Sequence, residues 1–144
     1  MMTGRLDQLP EFVNCILIDR MNNDKQSHLP HVHEKELELF YVHAGTGQYM
    51  VDNRLYPIRE GDIVICNAGV LHGEEPSLVR QIHSYSVAMT GVQMEGLLPN
   101  CLIDYKTNPV VSCGQLAVHV GQLMQLLYLL SADTAHPGNV CGSL

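Results

Sequence analysis

The sequence predicts a mainly β fold, a barrel or sandwich of short strands, followed by one C-terminal helix. Three observations carry that prediction. Apolar runs of four to eight residues recur between turn residues over roughly the first 110 positions. The apolar period changes near Gln115 from strand-like to helical. The 144 residues are one domain's worth, and 46% hydrophobic with 16% charged residues is a globular composition.

The elements follow in order. Residues 13–18 (VNCILI) are the first strand, followed by a polar loop around MNNDKQSH. ELELFYVH is the second strand, AGTG a glycine turn and QYMV the third. Asp52-Asn53 is a tight hairpin turn, because Asn tolerates a left-handed backbone. RLYPI, the turn REGD and IVIC complete this run. NAG and HGEEP read as loops, and residues 79–88 (VRQIHSYSVA) as a further strand. Gly45-Thr46-Gly47 is a hairpin glycine pair, since neither a helix nor a P-loop lysine follows it.

From Gln115 to Leu130 the pattern is helical. Leu116, Val120, Leu123, Leu127 and Leu130 step by four, three, four and three, an a/d seam. Met124, Leu126 and Leu129 widen the apolar band, which leaves two readings open: a helix packed on its own barrel, or one with a face on the barrel and the other on a partner subunit. Pro137-Gly138 breaks the helix, and Asn139 reads as the cap of a further one.

Charge and cysteines exclude several functions. Eight Lys and Arg against fifteen Asp and Glu give a formal charge of −7. Arg5, Arg20, Lys25, Lys35, Arg54, Arg59, Arg80 and Lys106 never cluster, so this stretch is a poor nucleic-acid binder by itself. Cys15, Cys66, Cys101, Cys113 and Cys141 share no CxxC spacing and read as free thiols, which disfavours a zinc-thiolate site. No 18-residue apolar run and no basic-then-apolar start are present, so the expectations are no membrane span and a cytoplasmic address.

The chemistry concentrates in His31-Val32-His33, Glu38 and His72. In an extended chain His31 and His33 point the same way. Glu38 follows His33 by an odd step, so a bulge or bend near 34–36 must return it to that face, with Phe40 and Val42. His72 swings in from the loop after Gly69. Three imidazoles and a carboxylate suit a divalent Fe, Mn, Ni, Cu or Zn ion with positions open for ligand. Without metal the same four residues make a hydrogen-bonded polar lining, and their spacing leaves both readings open. Strand parity offers Phe40, Val42, and Met50 or Tyr49 as further pocket residues. On the 79–88 strand, Arg80, Ile82 and Ser84 compete with Gln81, His83 and Tyr85 for the inside. His43, His83, His119 and His136 read as surface or interface residues, and Asp62 as a turn residue holding backbone amides.

The spacing His31, His33, Glu38, Gly45 resembles the first cupin motif, and Gly61, Asn67, Gly69, His72 the second. Asn67 stands where the pattern has proline, Lys25 where it has glycine, and Pro76 where it has asparagine; none of these is a metal ligand in the pattern. Over residues 13–144 the chain resembles the N-terminal sensing domain of AraC-family transcription regulators. That resemblance implies a cupin-type (double-stranded β-helix or jelly-roll) barrel over residues 10–110. It implies the start of a helical dimerisation segment over 111–144, with the DNA-binding helix-turn-helix units beyond it. The expected function is to bind a small effector, a sugar or small organic acid, through His31, His33, Glu38, Phe40 and His72. The metal ligands would be His31, His33, Glu38 and His72, and the homodimer contact Leu116, Val120, Leu123, Leu127 and Leu130. The alternatives are a stand-alone metal-dependent cupin enzyme, a dioxygenase or isomerase, and a sugar-binding module without regulation.

Overall fold

The structure, a computed structural model, describes residues 8–18, 29–75 and 82–134. Among the described residues eight strands run in order: β1 (Glu11–Ile18), β2 (Leu37–Ala44), β3 (Thr46–Val51), β4 (Arg54–Arg59), β5 (Asp62–Cys66), β6 (His72–Glu74), β7 (His83–Thr90) and β8 (Val110–Ser112). A 3-10 turn, Gly114–Leu116, leads into helix α1 (Ala117–Thr134). The strands form two antiparallel sheets, one ordered β1-β7-β2-β5-β8 and the other β4-β3-β6. A mainly β fold closed by a helix is what the spacing of turns predicts. Lys25, Pro76, Arg80, Gln81, His136 and the Pro137–Asn139 break lie outside the described residues.

Local chemistry explains the turns. Asp52 and Asn53 both take positive φ, 52° and 64°, as a two-residue hairpin between right-twisted strands requires. Asp62 accepts a hydrogen bond from the Arg59 amide at 3.0 Å and holds the β4–β5 turn. The AGTG turn contracts to Gly45, which moves the chain from one sheet to the other, because β2 pairs with β5 and β7 while β3 pairs with β4 and β6.

Three expectations change. HGEEP is not all loop: His72–Glu74 is a strand paired with β3, so His72 sits on a sheet and not on a swinging loop. The strand placed at 79–88 is described from His83 and continues to Thr90. The helix begins at Ala117, with Gln115 and Leu116 in the 3-10 turn, and continues to Thr134.

The apolar residues sort into an inner and an outer core. Between the sheets lie Phe40, Val42, Tyr49, Val51, Ile58, Val64, Cys66 and Ile82. Tyr49, not Met50, points inward, and Ile82 and Ser84 take the inside of β7 while Tyr85 faces away. On the outer face, Cys15, Tyr41, Tyr85 and Val87 pack against Met124 of α1, with Val120, Leu127 and Tyr128 beside it. The Tyr41 hydroxyl donates to the Ala117 carbonyl at 2.8 Å and ties the helix start to β2. Burial pushes the Cys15 thiol up to about 12, so it stays protonated, and Cys15, Cys66, Cys101 and Cys113 are free thiols.

The heptad seam splits across the helix. Val120 and Leu127 lie against the barrel, whereas Leu116, Leu123 and Leu130 are exposed together with Val118, Leu126 and Leu129. The inward face is centred on Met124, one step round from the seam. Among the described residues no helix is long and apolar enough to cross a membrane.

Candidate metal and ligand site

His31, His33, Glu38 and His72 converge, each offering one ligand atom within 4.8 Å of the others. Three pieces of backbone bring them together: the segment 31–33, β2 and β6. Residue 31 forms an isolated antiparallel bridge with residue 72: the His31 amide donates to the His72 carbonyl at 2.8 Å, and the His72 amide to the His31 carbonyl at 2.9 Å. His33 is held by its carbonyl, which accepts from the Gly69 amide at 2.7 Å. Gly69 has φ +83°, a conformation that side chains resist, and this aims its amide at residue 33. The chain bends at Glu34 and Lys35 before β2, supplying the expected correction of parity, and Glu38 then faces the histidines. His72 stands on the neighbouring sheet, with the Tyr49 ring stacked parallel to it at 6.4 Å.

The ring nitrogens divide between backbone carbonyls on the outside and the Glu38 carboxylate on the inside. His31 Nδ1 is hydrogen-bonded to the Leu29 carbonyl and His72 Nδ1 to the Val70 carbonyl at 2.9 Å. A carbonyl only accepts, so these nitrogens carry the protons. His33 Nδ1 faces the Glu36 carboxylate at 3.6 Å. The Nε2 atoms turn inward: those of His31 and His33 lie 3.1 Å apart, and 3.8 and 3.7 Å from Glu38 Oε2. His72 Nε2 bonds the same oxygen directly. Ser86 of β7 donates its hydroxyl to the other oxygen, Oε1.

Burial alone pushes the Glu38 carboxyl up, but hydrogen bonds from His31, His72 and Ser86 and the charge of His72 outweigh it. Glu38 is held well below the usual carboxylate range. Its hydrogen bond raises the His31 imidazole, more than burial lowers it. Beneath them, burial pushes the Tyr49 hydroxyl and the Cys66 thiol far up, so neither adds charge.

A cavity of about 300 Å³ adjoins His31, His33 and Glu38. Asn14 and Ile16 of β1, Ser86 and Ala88 of β7, and Glu36 complete its wall. Its size is at the small end for ligand pockets. Phe40 is not on that wall; it is 1% exposed, packed on Tyr49 at 4.4 Å between ring centroids. The space between the sheets is filled by such apolar residues, and the cavity beside the histidines lies at the β1–β7 end. Ser86, Asn14 and Ala88 escaped the sequence reading. Extending the inward set Ile82, Ser84 by the same step of two reaches Ser86 and Ala88. Asn67, in place of the motif proline, accepts from the Leu102 amide at 2.8 Å and donates to the Ile103 carbonyl at 2.7 Å. It pins residues 102–103 to the end of β5, which a proline side chain could not do. His43, His83 and His119 are exposed and stand apart from the site.

The donor set fits a divalent cation. Three imidazoles whose outer ring nitrogens face acceptors, plus an ionised carboxylate, could hold a first-row metal ion once the inward nitrogens give up their protons. A wider comparison agrees with the architecture. Residues 17–139 match the family of AraC-like ligand binding domains. The chain is also 33% identical over 85 residues to an uncharacterized HTH-type transcriptional regulator, YdiP, of Escherichia coli K12. That stretch covers 59% of this chain and 28% of the relative's length. With its two-sheet barrel, its C-terminal helix and a family match over most of its length, the chain belongs to the AraC-like ligand binding domain family.

Proposed function

We propose that this chain is the ligand-sensing part of a DNA-binding transcription regulator working in the cytoplasm. The observation that carries the reading is the convergence of His31, His33, Glu38 and His72 beside an open cavity, in a chain of this family. The four residues would hold one divalent Fe, Mn, Ni, Cu or Zn ion. The ion supplies a Lewis-acidic centre for an oxygen donor of the ligand. A sugar or small organic acid would occupy the cavity, with Asn14, Glu36 and Ser86 as its polar contacts. DNA contact falls to helix-turn-helix units outside this sequence, as the regulator relative supports. The same relationship favours a sensor over a dioxygenase or isomerase.

Helix α1 connects the site to a second copy of the chain. Its inner face rests on β1, β2 and β7, the strands that carry Asn14, Glu38 and Ser86 on their other side. Its outer face exposes Leu123, Leu126 and Leu130, with Leu116 of the preceding 3-10 turn beside it in sequence, and an apolar face of this extent needs cover. Ligand binding then shifts the balance between two settings of the helix pair, and with it the spacing of the DNA-binding units.

Thermal melting of the protein against sugars and small organic acids, each with and without Mn²⁺ or Zn²⁺, tests this. A ligand present at ~100 times its Kd stabilises by about 2.7 kcal/mol. At this chain length that is a rise in Tm of roughly 5–11 °C. The rise should vanish in Glu38→Ala. A panel in which no metal and no compound moves the melt contradicts the sensing role.

A further inference from the structure

The geometry points to Gly73 as the positioning residue for His31: the bare Cα of β6 lets residues 29–30 cross it in contact, and that crossing sets the His31 imidazole against the other donors. The inference rests on the proposed metal role of the four residues.

A Cβ added at Gly73 would lie 2.5 Å from the Pro30 Cα and N atoms and 2.7 Å from the Leu29 carbonyl carbon. All three are backbone atoms, so no side chain can turn away to make room. Carbon atoms pack at about 3.5–4.0 Å, so alanine must displace residues 29–30 by roughly 1 Å. His31 cannot stay put under that displacement. Its backbone is joined to β6 only by the two hydrogen bonds of the residue 31–72 bridge. Its ring is oriented by the Leu29 carbonyl, the very group that the added methyl strikes.

The other donors have independent supports. His33 is fixed through the Gly69 amide, Glu38 lies within β2, and the His72 ring is held by the Val70 carbonyl. Successive residues of a strand face opposite ways, so a methyl at 73 points away from His72 and touches no donor directly. The consequence is selective: Gly73→Ala turns a set of four donors into a set of three.

The test compares wild type, His31→Ala, Gly73→Ala and the double variant, all without a histidine tag. Two readouts are Zn²⁺ affinity and the number of imidazoles coordinating Cu²⁺ by pulsed EPR. Gly73→Ala should weaken Zn²⁺ binding about 10–100-fold, the range for losing a group that orients a ligand. It should also lower the imidazole count from three to two, while the double variant binds no more weakly than His31→Ala. Wild-type affinity in Gly73→Ala, or losses that multiply in the double variant, would overturn the assignment. Should Gly73→Ala not fold, Pro30→Gly loosens the same crossing from the other side. It should weaken Zn²⁺ binding in the wild-type background and not in His31→Ala; unchanged affinity in both sinks the idea. A wild type that takes up neither metal refutes the metal reading alone. The crossing is then read from amide exchange of metal-free protein, where Gly73→Ala should expose the His31 and His72 amides; unchanged protection overturns it.

Discussion

Glu38→Ala should be the most damaging single substitution at the site, even with no metal present. The carboxylate is 7% exposed and bonded to His72, which is 1% exposed, and to Ser86. Removing one partner of a buried pair costs about 3 kcal/mol, because the other loses its compensation. For a chain of this length that is a fall in Tm of roughly 6–12 °C. The pH profile gives a second signature. The folded pKa of Glu38 is depressed, so its contribution is present above the unfolded value near ~4.3 and is lost only as pH falls through the lower folded value. The folded pKa of His31 is raised, so its contribution is complete below about 6.5 and is lost as pH rises through the higher folded value. Metal-free protein should therefore be most stable between about pH 4.5 and 6.5. Glu38→Ala should flatten that maximum, since Glu38 is the main cause of the His31 shift. Metal loading reverses the trend, because bound imidazoles must be neutral and occupancy grows through about pH 6–7. Urea midpoints across pH, for apo and loaded protein, check each of these signs. Identical profiles for wild type and variant would remove Glu38 from the account.

If α1 forms the proposed subunit contact, replacing Leu123 and Leu126 together by Asp should leave a folded monomer. Leu123 is 53% and Leu126 59% exposed, so neither supports the barrel. Surface changes of this kind usually leave stability within about 0.5 kcal/mol. Burying two carboxylates between subunits has no such tolerance. Met124→Asp is the contrast, because Met124 is 4% exposed against β1 and β7, and a charge there should unfold the protein. Sedimentation equilibrium with a melting curve separates the outcomes. A double variant that remains dimeric excludes this face as the subunit contact.

Much of the fold was legible because short-range chemistry decides it. Asp52-Asn53 announces its hairpin, since both residues tolerate positive φ and apolar runs flank them. The convergence of His31, His33, Glu38 and His72 was legible because glycines at Gly45, Gly61 and Gly69 complete the spacing that resembles the two cupin motifs; HxH alone is a weak signal. Other features depend on long-range packing. Strand β6 is three residues long, HGE, without a β-branched side chain, and it exists because β3 offers a partner edge. Strand β8, three residues long, has no sequence signal of its own and is held by β5 in the same way. The second buried face of β2, with Leu37 and Tyr41, follows from α1 and residues 92–103 covering the sheet; the unbroken apolar run Leu39, Phe40, Tyr41, Val42 was its signal. Val120 and Leu127 of the helix seam turned out to face the barrel because α1 is apolar nearly all round, so the heptad pattern did not say which residues pack there.

Metal content of untagged protein, loaded with Zn²⁺ and then freed of excess, beside His33→Ala, tests the central claim most directly. His33 is half-buried and lies 3.7 Å from Glu38, so its loss removes a donor and leaves the Glu38–His72–Ser86 bonds intact. The account predicts about one ion per chain in the wild type and a large loss in the variant. Retention of no ion by either protein, or equal retention by both, would contradict the site as a metal centre.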